Sequence, residues 1–432
     1  MKKNKSFKVM VVSFELFMIM ELISCSKREP VKNLYTGDNK IIIWAWDFGI
    51  IAAEKAVEIY EKHHPDTNYG FEIVKLGQDD MVEKIKLYLA SGSLNVLPDI
   101  FYDEDYNAFE YITYFRDYFF DLSPFLDSDD YMIHKMINVT YEDKIYAVPY
   151  DDGIGVLFYR SDILMRAGFN EPDMRYLSWD RFIEIGQQVK AITGVDMVIL
   201  VPEGDNEGRL MYQSAGTWFF DENGNANIAN NEAFKTAFLT FKKAVDSGCV
   251  YYGSSWDDII SAVYNDKVAC LIGASWWIPI ICENKSHESL WRIAEMPRME
   301  GDNYTHYSNL GGRNWFVLNK ENKNASAEFV VETFGESLEL ANYMAGIAAY
   351  IPVNKRLLDE VIDEENDFFG GQRIISLLSE YSKHILPVKY GLHTYEITYT
   401  VGNLAADYIK GRLTLEDAVS RMQREAEKVA NN

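Results

Sequence analysis

KIYAVPYDDGIGVLFYRSDILMRAGF, residues 144–169, carries two short apolar runs around Pro149-Tyr150-Asp151-Asp152-Gly153. Ile145 to Val148 reads as a strand stopped by Pro149, and Ile154 to Tyr159 as a second strand after Gly153. Ser161 is placed to cap a short helix, Asp162 to Arg166, that ends at Gly168. Ser178-Trp179-Asp180-Arg181 then opens a longer helix with Phe182, Ile185 and Val189 on one face. Tyr150, Asp151 and Asp152 therefore follow a rigid proline at a strand end, where open α/β sheets present ligands.

Working outward, the same strand–loop–helix rhythm repeats. KIIIWAW, residues 40–46, is a buried-strand run, and Ile51 to His63 has a helical pattern. Tyr69 to Leu76 reads as a strand and Asp80 to Ser91 as a helix. Strands alternating with helices imply an α/β fold with largely parallel sheets. Trp46 and Asp47 fall at the end of the first strand, where a ring for a sugar's C–H face and an acid for its hydroxyls would suit a pyranose. The plainer reading keeps one Trp in the core. Asp103 and Glu104 end the Pro98-Asp99-Ile100-Phe101-Tyr102 strand, as ligand acids or as helix-capping acids. Further on, Trp218, Trp256, the Trp276-Trp277 pair, Tyr350 and Tyr395 add aromatic candidates for a ligand site. Two adjacent Trp in a loop are difficult to bury together, so one is expected on ligand and one packed inside. Gly312 would let backbone approach a ligand. Arg313 is placed to bond hydroxyls or a uronate carboxylate, or else to make an inter-lobe ion pair. Asp221-Glu222-Asn223-Gly224 looks calcium-like, but its Gly is in the wrong register and an Asn-Gly turn is expected.

The chain has 432 residues, 48% of them hydrophobic, enough for two full cores. Its formal charge of −24 argues against nucleic acid, which needs a basic footprint. Lys2, Lys3, Lys5 and Lys8 precede an apolar run, Val9 to Ile23, too short for a comfortable bilayer span. A secretory leader over 1–24 is expected, although Glu15 and Glu21 inside the run are costly in lipid. Its removal takes away four Lys and two Glu and leaves −26. Residues 25–39 are polar and read as a flexible tether. Cys249, Cys270 and Cys282 read as buried thiols, with a Cys270–Cys282 disulfide as the other reading. No Cys/His spacing suggests zinc, and no cofactor is implied.

The central motifs resemble those of the extracellular solute-binding proteins of bacterial ABC transporters, sugar-binding family 1. Lys144-Ile145-Tyr146-Ala147-Val148-Pro149 is similar to the family's G-x-x-Y-G-x-P strand. Phe158 to Gly168 is similar to its Y-N-K-D-L-F-x-x-A-G segment, with Arg160-Ser161 replacing Asn-Lys. Ser178-Trp179-Asp180-Arg181-Phe182 resembles T-W-D-E-F. The Pro98-Asp99 strand, Asp121 to Leu126, Gly273 to Trp277, Gly311-Gly312, Tyr350 to Val353 and Gly411 to Ala418 also follow family marks in order. Leu22-Ile23-Ser24-Cys25 resembles a lipobox, implying cleavage before Cys25 and a lipid on its sulfur.

The resemblance implies a two-lobed periplasmic-binding-protein-like fold of type II, with hinge crossovers near Pro149, Ser308 and Pro352 and a ligand cleft between lobes, where it would place the candidate residues, Trp276, Trp277 and Tyr395 among them. The lobes would comprise 40–149 plus 308–352 and 150–307 plus 353–432. The implied function is a lipid-anchored, monomeric carbohydrate-binding subunit that delivers an oligosaccharide to ABC permease subunits on the extracellular face. Two rivals stand beside it. One is a glycoside hydrolase using Asp151, Asp152, Asp103 or Glu104, although adjacent Asp151 and Asp152 cannot flank both faces of one sugar bond. The other is a sensory binding subunit for a membrane receptor.

Overall fold

The computed structural model describes residues 39–430 other than 205, 222 and 349. The leader over 1–24, Cys25 and nearly all of the 25–39 tether lie outside the described residues. Among the described residues, no helix is long and apolar enough to cross a membrane.

Ten strands form the two main sheets. They are β1 Lys40–Ala45, β2 Gly70–Lys75, β3 Ile100–Glu104, β4 Ala147–Pro149, β5 Gly155–Arg160, β6 Asp196–Leu200, β7 Val250–Tyr252, β8 Val268–Ala274, β9 Trp291–Ala294 and β10 Arg313–Val317. The first sheet has the order β2-β1-β3-β10-β4 and the second β9-β5-β8-β6-β7. In the first, β1 runs parallel to β2 and β3, while β10 is antiparallel to β3 and β4. In the second, β6, β7 and β8 are parallel and β5 is antiparallel to β8 and β9.

Helices cover the sheets because their apolar residues recur at helical spacing. Phe48–His63 buries Ala52, Ala53, Ala56, Ile59 and Tyr60. Trp179–Thr193 buries Phe182, Ile185 and Val189, the face read from sequence. Its start is set by Ser178, whose Oγ accepts from the Arg181 N–H, and its end by Gly194 in the left-handed region. The helix 161–166 starts differently from expectation. Its cap residue is Arg160, and the Ser161 hydroxyl instead donates to the Leu290 carbonyl at 2.9 Å. Arg160 is tied to Asp162 and Asp266, which locks the helix entry without a serine cap. The Asn223-Gly224 turn forms as read: the Gly224 N–H donates to the Asp221 carbonyl and Gly224 takes φ +81°. Cys249, Cys270 and Cys282 are free thiols, and burial pushes all three above the usual thiol range.

The chain passes between the two lobes where β4 leads to β5, before β10, and again near Pro352. These passages lie side by side, since Asp151 bridges to Pro352 and Ile154 to Asn309. Packing there is tight: the Leu310 N–H donates to the Gly153 carbonyl at 2.7 Å. A side chain on Gly153 would collide with the Leu310 carbonyl.

Candidate functional site

A cleft of about 690 Å³ opens between the lobes at the carboxyl ends of the strands. Its size lies within the roughly 300–1,000 Å³ of small-ligand sites. Trp46, Glu104, Asp151, Trp276, Arg313 and Tyr395 line it, joined by Gly312 and by the rim of Asp152. A smaller recess of about 40 Å³ adjoins its hinge end, lined by Tyr102, Tyr150 and Tyr350 among others.

At the hinge end, Arg313 starts β10 and lies over two rings, 4.8 Å from the Trp46 centroid and 5.8 Å from that of Tyr102. Its guanidinium is 3.2 Å from Asp151 and 3.7 Å from Asp47. Burial opposes its charge, but Tyr102, Asp151, Glu104 and Asp47 hold it protonated. The Arg313 N–H also donates to Asp151 Oδ1 at 2.7 Å, and the Tyr102 hydroxyl to Asp151 Oδ2 at 3.3 Å. The ion pair expected of Arg313 is present, and its side chain also lines the cleft. Asp47 stands beside this cluster, half-exposed, at φ 48° where the first helix begins. Gly312 takes φ +105°, where an added Cβ would strike the Lys135 ammonium. Beneath it the buried Lys135–Asp105 pair closes at 2.5 Å.

Several expected cleft residues point elsewhere. The Asp152 side chain is fully buried. It accepts from His134 Nε2 at 2.9 Å, from the Ser382 hydroxyl at 2.7 Å and from Asn309 Nδ2. Burial works against its charge, but the charge and hydrogen bond of His134, with Lys135 and Ser382, hold it below the usual carboxylate range. It ties the lobes at the hinge. Asp103 is likewise sealed, accepting from the Tyr111 hydroxyl at 2.6 Å, the Glu104 N–H at 2.8 Å and Asn107 Nδ2 at 3.1 Å. Asn107 and Tyr111 lie on the next helix, so Asp103 is held against that helix but does not cap it: the cap residue is Glu104, with no side-chain cap bond. Trp218 is buried, its indole N–H donating to Thr394 Oγ1 at 3.2 Å. Trp277 is buried as well, stacked 4.5 Å from Trp256, which is 45% exposed and outside the cleft lining. Trp276 alone of the pair reaches the cleft, and its indole N–H donates to the Leu310 carbonyl at 3.3 Å. Tyr150 and Tyr350 pack together 4.6 Å apart, with the Tyr350 hydroxyl donating to the Tyr150 carbonyl at 2.9 Å. Both face the small recess rather than the main cleft.

The structure adds residues that strand-end reasoning missed. Tyr106, on the helix Asp105–Phe115, crosses to the second lobe and stacks 5.6 Å from Trp218 at 14°. Tyr390 and Tyr395 meet its ring edge-on, and its hydroxyl accepts from the Gly311 N–H at 3.1 Å. Lys86 joins Glu110 at 2.8 Å and reaches Glu396 of the opposing lobe at 3.7 Å. Asn107 and Arg209 line the cleft with side-chain atoms that meet no protein partner among the described residues. Glu104 faces the cleft with its carboxyl pushed up to about 7. Burial is the main cause and Asp103 adds to it, while Arg313 and Arg209 pull the other way. Asn107, Arg209 and Lys86 lie inside helices, and only the three-dimensional course of those helices brings them to the cleft.

Such a cleft, with aromatic faces and scattered polar groups between hinged α/β lobes, matches known proteins. Residues 55–368 match the family model described as bacterial extracellular solute-binding protein. The lactose-binding protein of Rhizobium radiobacter is 33% identical over 378 residues, covering 86% of this chain and 89% of its own. The arabinooligosaccharide-binding protein of Bacillus subtilis (strain 168) is 23% identical over 235 residues, 53% of each chain. The crystal structure of an extracellular solute-binding protein of family 1 superposes with TM-score 0.78 at 19% identity, covering 91% of this chain and 100% of that one. The chain belongs to the bacterial extracellular solute-binding proteins, the two-lobed binding subunits of ABC transport systems.

Proposed function

We propose that this chain captures a neutral carbohydrate between its lobes and delivers it to an ABC permease. The observation that carries this reading is the cleft wall itself. Trp46, Trp276 and Tyr395 offer ring surface beside polar side chains, the combination that suits a sugar's apolar face and its hydroxyls. The lactose-binding relative supports a disaccharide or a longer sugar. In this reading Trp46, Glu104, Trp276, Gly312 and Tyr395 touch ligand, while Asp47, Asp151 and Arg313 set the hinge end. The lobes comprise 40–149 plus 308–352 and 150–307 plus 353–432. The protein works as a monomer, held to the extracellular face of the cytoplasmic membrane by a lipid on Cys25 after loss of residues 1–24. It is a binding protein and not an enzyme. Of the four acids named for hydrolysis, Asp103 and Asp152 are sealed and Asp151 is bound to Arg313, so those four leave Glu104 without a free partner acid among them.

The test is a thermal-shift titration of the purified protein with lactose and with arabinooligosaccharides, followed by product analysis. A ligand that favours the folded state raises Tm in a saturable way. We expect such a rise with the sugar recovered intact. Cleaved sugar would overturn the binding-only reading, and no shift with either class would overturn these ligands.

A further inference from the structure

Two polar side chains in the cleft, from opposite lobes, each carry one buried atom with no hydrogen-bond partner among the described residues. Asn107 is 1% exposed. Its Nδ2 donates to Asp103, which leaves Oδ1 as a buried acceptor with nothing donating to it. Arg209 is 9% exposed, and its Nη2 is used by Asn206 Oδ1 at 2.5 Å. Its guanidinium sits 5.3 Å from the Tyr106 ring, and its Nε–H is a buried donor with nothing to accept it. Asn107 follows Tyr106 on the first-lobe helix 105–115, and Arg209 lies on the second-lobe helix 206–214. Both line the same cleft, Asn107 next to Tyr106 in the chain and Arg209 over the Tyr106 ring.

We propose that Asn107 and Arg209 are ligand-binding residues that grip hydroxyl groups of the sugar from opposite lobes. This rests on the carbohydrate reading given above. The argument is one of matching: buried polar atoms without partners are costly, and few native ones stay unexplained. One side offers an acceptor and the other a donor. A carboxylate or phosphate supplies acceptors only and would leave Asn107 Oδ1 unmet. An ammonium supplies donors only and would leave the Arg209 Nε–H unmet. A hydroxyl both donates and accepts, so it answers each atom. The acids Asp79, Glu83, Glu104 and Glu396 on the same walls further disfavour an anionic ligand. Because the two residues belong to different lobes, a ligand held by both also favours the closed arrangement.

The experiment compares the full-length protein with Arg209→Met and Asn107→Leu, titrated with lactose, arabinooligosaccharides and galacturonate. Arg209→Met is expected to weaken the bound neutral sugar about tenfold or more, with the ligand-free Tm little changed, since removal of a buried unmatched donor offsets the loss of the Asn206 bond and the Tyr106 contact. Asn107→Leu is expected to weaken it by a similar factor. Its Tm falls modestly, because the Asp103 bond is lost too. Affinity within about twofold of wild type in Arg209→Met would overturn the proposal. A clear fall in its ligand-free Tm would do so as well, by showing that Arg209 is a structural residue. Galacturonate bound more tightly than the neutral sugars, and lost in Arg209→Met, would overturn the hydroxyl assignment in favour of an anion. Silence of the wild type towards all three probes would refute the carbohydrate reading. The Tm of Arg209→Met would then still tell a structural arginine from one poised for a ligand.

Discussion

The hinge carboxylates and two polar side chains of the cleft wall stand in opposite situations. At the hinge, Asp152 is buried with partners on both lobes and on the returning chain at Asn309. Its neighbour Asp151 is bound by Arg313 and Tyr102. On the cleft wall, Asn107 and Arg209 are also hidden but incompletely matched. Satisfied networks rigidify, and unmatched groups wait for a partner. The contrast assigns the hinge to geometry and the wall to recognition. Asp151 and Asp152 look like a ligand-binding acid pair in sequence, yet the fold spends both on holding the crossovers.

The contrast breaks first, and by the largest amount, at Asp152. Asp152→Ala leaves His134, Ser382 and Asn309 without their acceptor, and we expect a loss of about 3–5 kcal/mol in urea unfolding. The acid limb of the stability profile tests the same group. Its folded pKa is depressed, so its contribution is present above the ordinary carboxylate value and is lost as pH falls through the lower folded value. The variant should therefore lose stability at pH 7 and converge with wild type in acid. An equal gap at low pH would show that Asp152 acts by packing alone.

A smaller effect is expected at Tyr106, which joins the two lobes. Tyr106→Leu removes the stack on Trp218 and the bond from the Gly311 N–H. We expect about 1–3 kcal/mol less stability and a larger radius of gyration in solution scattering. An unchanged radius would mean that the other inter-lobe contacts suffice to hold closure.

The smallest effect sharpens the account of the wall. Glu104 has its folded pKa raised to about 7, so its contribution is present below the ordinary glutamate value and is lost as pH rises through about 7. Glu104→Gln should match wild type near pH 5 and exceed it by on the order of 1–2 kcal/mol at pH 8. Parallel Tm profiles from pH 5 to 8 would show that Glu104 is solvated and ordinary.

Much of the fold was legible in the sequence because its signals are local. The apolar runs of β1 and β5 and the Ser178 cap each depend on residues adjacent in the chain. The Trp276–Trp277 pair was read as one ring towards the cleft and one inside, and the rings divide that way. The Ser161 cap failed because the competitor was distant: Leu290 takes its hydroxyl and Asp266 takes Arg160. Asp103, Trp218 and Trp256 failed as cleft residues for a related reason. A strand end or a loop specifies where a residue sits but not which neighbour its side chain meets. Asn107 and Arg209 carried no signal, since a polar residue inside a helix reads as a solvated face.

By itself, then, the sequence determined the alternation of strands and helices, the order of the crossings and the family. These follow from periodicity, caps and short motifs, which are properties of neighbouring residues. Only the tertiary structure decided which carboxylates are sealed, which tryptophan reaches the cleft and which polar atoms are left for a ligand. Those outcomes depend on partners one to three hundred residues away, such as Ser382 on Asp152 or Asp151 on Arg313, and burial makes each such meeting count.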